Sequence, residues 1–125
     1  MNKELFEKGL EARKKVLGEA YVNKSIENAD AFAMQIQELV TQYCWGEIWT
    51  RPGLEFKTRS LLNIVMLTAL NRAHELKIHV AGAIRNGCTK EEISEALLQA
   101  TIYCGVPAGV EAFRIARDAF AENNM

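Results

Sequence analysis

An all-α fold, a compact bundle of five to six helices, is predicted by three observations. The chain has only two prolines, Pro52 and Pro107, and both fall where the apolar periodicity is interrupted. No Asn-Gly or Asp-Gly pair sits between alternating strand patterns. The one Asn-Gly, Asn86-Gly87, follows a helical pattern and reads as a helix C-terminal cap. Apolar residues recur at three- and four-residue spacings along most of the chain, the signature of amphipathic helices.

The first helix is expected over about Lys3 to Leu17, with Leu5, Phe6, Leu10 and Leu17 on its apolar face and Gly18 as its stop. A second is expected over about Asn28 to Tyr43, with Phe32, Ile36, Leu39 and Val40 facing the core and Ser25 or Asn28 as cap. Cys44 to Gly53 holds both tryptophans together with Gly46 and Pro52-Gly53, and reads as a packed connector with room for one helical turn. From Glu55 to Asn86 the pattern is helical throughout. Leu62, Val65, Met66, Ala69, Ala73, Leu76, Val80, Ala83 and Ile84 fall on one stripe. That length is unusual for one globular helix, and a break near Asn71 would make it an αα pair. Thr89-Lys-Glu-Glu92 is a capping box that starts a helix running to about Tyr103. Gly105-Val-Pro107 interrupts the chain, and a last helix covers about Ala108 to Ala121.

At 125 residues the expectation is one domain spanning residues 1–125, with no internal repeat. A net charge of −1, with both signs interspersed, leaves no basic face for nucleic acid or an anionic membrane. No apolar run is long enough to span a bilayer. The charged Met1-Asn-Lys-Glu start lacks the apolar core of a signal peptide, so the cytoplasm is the expected compartment. Cys44, Cys88 and Cys104 form no Cys-x-x-Cys pair, which disfavours zinc-ribbon and thioredoxin-type sites and fits reduced thiols.

Chemistry is concentrated in Arg72-Ala-His-Glu-Leu-Lys-Ile-His79. At 100° per residue, Arg72, Glu75 and His79 share one strip at the border of the apolar stripe. A border strip can line a cleft while partly desolvated, and desolvation is what tunes an acid or base. Glu75 and His79 also have the spacing of an ordinary helix ion pair, which is the structural alternative. His74 points about 140° away from His79 on an ideal helix, so the two are poor joint ligands and no metal site is expected. The second candidate is the connector, where Glu47, Trp49 and Arg51 would make a pocket wall. Arg51 and Arg59 have the forked geometry that grips carboxylates, or they are surface charge.

These segments are more specific together than apart. Trp45-Gly-Glu-Ile-Trp-Thr-Arg-Pro-Gly-Leu54, Lys57-Thr-Arg-Ser60, His74-Glu-Leu-Lys-Ile-His79, Asn86-Gly87 with Glu91-Glu-Ile93, and Tyr103-Cys-Gly-Val-Pro107 occur in that order. In order and spacing the chain resembles the γ-carboxymuconolactone decarboxylase family, over roughly residues 20 to 120. The wider superfamily includes alkylhydroperoxidase D-like proteins. Its redox branch carries Cys-x-x-Cys-x-x-x-His. With that histidine placed on His79, the cysteine positions fall on Arg72 and Glu75, so thiol peroxidase chemistry is not expected.

The resemblance implies an all-α fold assembled as trimers or hexamers, with active sites near subunit contacts. It implies a cofactor-free carboxy-lyase of aromatic-compound catabolism. Its substrate is a carboxylated lactone, γ-carboxymuconolactone, converted to the β-ketoadipate enol-lactone. Loss of CO₂ drives electrons through the ring double bond onto the lactone carbonyl, and the resulting dienolate is protonated on carbon. Such a reaction needs carboxylate anchors, an oxyanion donor and a general acid. His79 is assigned as general acid, Glu75 as its orienting partner and Glu47 as a proton relay. Arg51 or Arg59 would hold the acetate arm, and Arg72 or Trp49 would polarise the carbonyl. His74 is grouped with the substrate-binding residues. Two alternatives stay open. One is a same-fold enzyme acting on another small acid or lactone. The other is a non-catalytic oligomeric binding protein.

Overall fold

A computed structural model describes residues 1–125. It contains α1 (Lys3–Leu17), α2 (Glu19–Glu27), α3 (Ala31–Leu39), a π-helix (Val40–Ile48), α4 (Phe56–Ala69), α5 (Ala73–Arg85), α6 (Lys90–Cys104) and α7 (Val106–Glu122). The fold is all-helical, with seven α-helices rather than five to six. The helix absent from the sequence reading is α2, which buries only Val22 and has no side-chain cap, so it left almost no pattern to read. No helix is long and apolar enough to cross a membrane. The chain divides into two compact units, Met1–Leu54 and Glu55–Met125.

In the first unit α1 packs along the π-helix. The contact is backbone to backbone. Gly9 lies against the Thr41 carbonyl, and a side chain built on Gly46 would come within 2.6 Å of the Leu5 carbonyl oxygen. The connector is packed, with Trp45 and Trp49 buried, and its single helical turn, residues 44–48, is the end of a π-helix whose wider turn closes with a bond from Trp49 N to Cys44 O at 3.0 Å. A π-turn is rarely favoured by local sequence, so it needs tertiary support. Arg13 supplies part of that support. It is 6% exposed, and its Nη1 donates to Gln37 Oε1 at 2.8 Å and to Thr41 Oγ1 at 3.2 Å.

The expected second helix splits at Leu39, and its cap is Asp30, which accepts from Ala33 N at 2.9 Å, not Ser25 or Asn28. Its expected core face is also corrected. No residue of α3 is buried, and Phe32, Ile36 and Leu39 are exposed, Phe32 by 74%.

The second unit holds a core of Ile64, Leu76, Val80, Ala83, Cys88, Ile93, Leu97, Ala112, Ala116 and Ala119. The expected break at Asn71 is present. Asn71 adopts φ 57, a left-handed conformation that asparagine tolerates better than most residues, and it separates α4 from α5. The predicted stripe holds for α5 from its second turn, where Leu76, Val80 and Ala83 are buried and Ile84 is half-buried, but its first member, Ala73, is exposed. It fails for α4, which buries Ser60, Ile64 and Thr68 while Leu62 and Met66 are exposed. Apolar residues lie on several sides of α4, so periodicity could not say which side turns inward.

The capping box at the start of α6 is fully formed. Thr89 Oγ1 accepts from Glu92 N at 3.0 Å, and Glu92 Oε1 accepts from Thr89 N at 2.9 Å. Thr89→Ala removes one of these bonds and is expected to lower stability by about 1 kcal/mol in urea denaturation. An unchanged midpoint would show that the cap contributes nothing.

Candidate active site

The α4–α5 turn ends at Arg72, the N-cap of α5, so Arg72 lies just outside the helix that was expected to contain it. Ala73 starts the helix, His74 and Glu75 are exposed in its first turn, and His79 is half-buried one turn after Glu75. Leu76 and Val80 on the same helix are buried, so His79 borders the core as the spacing required.

Burial decides the electrostatics of His79. Desolvation pulls the imidazole down to about 4, against a smaller upward pull from the Glu75 charge. The ring is therefore neutral near pH 7. Its folded value lies below the ordinary unfolded one, so between the two values the unfolded chain binds more protons. The resulting stability is fully present above about pH 6.5 and is lost as pH falls towards 4. The loss is at most about 3 kcal/mol. Urea denaturation at pH 5 and pH 7 is expected to show a smaller pH difference for His79→Asn than for the unaltered chain. Equal differences would mean that His79 titrates normally.

Arg59 is half-buried in the first turn of α4. In the first unit, Glu47 is exposed near the end of the π-helix, and Arg51 is exposed in the turn after it. Trp49 is buried and stacks on Trp45, with centroids 4.7 Å apart and ring planes at 18°. Its indole is also committed to Cys44, whose thiolate it favours by hydrogen bonding, although burial raises that thiol overall. The structure thus brings Arg72, His74, Glu75 and His79 together on one turn and helix, with Arg59 in the same unit.

Sequence reasoning missed two features. Arg13 read as an ordinary helix arginine, and only packing shows it buried, with burial pulling its guanidinium below the usual value. The second is a cavity of about 190 Å³ inside the second unit. It is lined by Leu67, Thr68, Asn71, Arg72, Ala73 and Leu76 with Ala108, Glu111, Ala112 and Ile115 of α7. No local signal marks it, because its walls come from segments about 40 residues apart in the chain. All three cysteines are free, and no group of three or more His, Cys, Asp or Glu side chains converges in metal-binding fashion.

Comparison with known proteins adds an independent line. The model of the carboxymuconolactone decarboxylase family matches residues 35–118. The chain is 42% identical over 117 residues to the 4-carboxymuconolactone decarboxylase of Acinetobacter baylyi, covering 94% of this chain and 87% of that one. It is 45% identical over 112 residues to the nitrosuccinic acid decarboxylase npaB of Metarhizium robertsii, covering 90% and 78%.

Proposed function

Because the chain belongs to the carboxymuconolactone decarboxylase family and is a carboxy-lyase, we propose that it decarboxylates γ-carboxymuconolactone to the β-ketoadipate enol-lactone, with His79 as the group that handles the proton. The observation that carries this reading is the desolvated imidazole of His79 one helical turn from the Glu75 carboxylate. A neutral ring in the empty site does not repel a cationic anchor nearby. When a dianionic lactone enters, its charges and Glu75 raise the proton affinity of the ring. His79 then takes up a proton on binding and delivers it to carbon after CO₂ leaves.

The chemistry balances without an external electron acceptor. The C–C bond to the carboxylate breaks, and its electron pair moves through the ring double bond to the carbonyl oxygen. The dienolate then takes one proton on its α carbon. Arg59 is the preferred anchor for the acetate arm, because a half-buried guanidinium binds a carboxylate more strongly than an exposed one. For Glu47, Arg51 and His74 the roles stay those implied by the family resemblance, a relay, an alternative anchor and a substrate contact. Oligomerisation as a trimer or hexamer is supported by apolar side chains left exposed. Phe32, Ile36, Leu39 and Tyr43 follow one another along α3 and the π-helix, and Ile102, Tyr103 and Val106 cluster at the α6–α7 junction.

A second reading is favoured by the similarity to the nitrosuccinic acid decarboxylase. Nitrosuccinate, like the lactone, loses CO₂ from a carbon that also bears an acetate arm. Its nitro group accepts the electron pair as the lactone carbonyl does. The two substrates therefore make the same demand for an acetate anchor, an oxygen-centred sink and a proton donor. Supplying the purified protein with each and measuring CO₂ separates them. Faster release from the lactone supports the first reading, faster release from nitrosuccinate the second. Release from neither would refute both.

A further inference from the structure

We propose that the cavity beneath the α4–α5 turn is a binding site for a small organic acid with an apolar body, its carboxylate held by Arg72. The walls come from Leu67, Leu76, Ala112 and Ile115, of which Leu76 and Ala112 are almost fully buried. They offer a ligand contact area but no hydrogen bonds. Thr68 also lines the cavity, but its hydroxyl proton is spent on Ile64 O at 2.8 Å. The volume, about 190 Å³, exceeds the roughly 150 Å³ in which an apolar cavity holds benzene. It suits a ring of five or six atoms.

Charge makes the site selective for an acid. Two ionisable groups reach the cavity, Arg72 and Glu111. Glu111 is already paired with Arg114 at 3.1 Å. The Arg72 side chain makes no ion pair and no hydrogen bond to another side chain, so the uncompensated charge at the mouth is positive. A guanidinium fork grips a carboxylate through two parallel bonds, which a neutral amide cannot reproduce. The left-handed turn at Asn71, φ 57, places Arg72 at this mouth. His79 is not among the lining residues, so occupancy here is separable from proton transfer there.

The test is a titration of the full ¹⁵N-labelled chain with benzoate, and with benzamide as its neutral isostere, followed by amide shifts. Benzoate is expected to perturb residues 67–76 and 108–115 and to bind about tenfold more tightly than benzamide. Arg72→Gln, a change at an exposed position, is expected to weaken benzoate about tenfold and leave benzamide unchanged. Ala73→Phe, which fills the cavity from an exposed wall position, is expected to abolish both. Equal binding of acid and amide, unaltered benzoate binding in Arg72→Gln, or shifts confined to other segments would each overturn the proposal. The readout is binding, so failure of the decarboxylase reading, seen as no CO₂ from the lactone, leaves this result standing.

Discussion

His79→Asn is expected to lower kcat for CO₂ release by about 10²–10⁴-fold, the usual contribution of a positioned acid or base. Asparagine keeps a polar, hydrogen-bonding side chain of similar reach but does not carry a proton near neutral pH. The loss should fall mainly on kcat, because the proton is handled in the chemical step rather than in ground-state binding. A second signature separates this role from simple packing. If the bound lactone raises the proton affinity of a ring that sits at about 4 in the empty site, substrate binding near pH 7 consumes a proton. Calorimetry in buffers of different ionisation enthalpy reads that uptake directly, and His79→Asn is expected to abolish it. Glu75→Gln, which removes the charge pulling the ring upward, should reduce the uptake without eliminating it. Full activity in His79→Asn would remove this residue from the mechanism.

The largest stability effect is expected at Gly9. A Cβ on Gly9 would overlap the carbonyl oxygen of Thr41 and lie 2.8 Å from Gly46 N. The obstructing atoms are backbone, so no side-chain rotation relieves the clash. Gly9→Ala is therefore expected to cost about 3 kcal/mol or more, at the upper end for overpacking, even though alanine is the better helix former. The competing propensity gain is only about 1 kcal/mol. Relief requires α1 to move off the π-helix, which would strain the bonds from Arg13 to Gln37 and Thr41. Chemical denaturation followed by tryptophan fluorescence checks this, because Trp45 and Trp49 both lie in this unit. A Gly9→Ala protein as stable as the parent would show that α1 and the π-helix do not need this close approach.

Arg72 and His79 were grouped as one strip from their spacing, yet only Arg72 lines the second-unit cavity. Variants at the two positions are therefore expected to differ in kind. One changes affinity for an acid, and the other changes proton transfer.

Much of the architecture was legible because helix ends are written locally. Gly18 ends α1, Asn71 breaks the long pattern, Gly87 follows α5 at φ 93 and Thr89 starts α6. Each depends on a conformational preference or a hydrogen bond reaching only three or four residues along the chain. The segment from Arg72 to His79 was legible for the same reason, since residue identities and spacing are sequence properties. The direction of α3 and α4 was not. Phe32, Ile36 and Leu39 form a sound apolar stripe that the chain leaves exposed. Amphipathicity shows that a face needs cover but does not show what covers it.

The sequence by itself determined that the chain is helical, where most helices stop, and which family it belongs to. Tertiary structure alone decided three things. It sets the π-helix, which exists because two glycines let α1 reach the backbone of residues 41–46. It forms the half-open pocket under Arg72, whose far wall comes from α7. It neutralises His79, because a pKa depends on how much protein replaces water around the ring, and that packing comes from the folded chain rather than from neighbours in sequence.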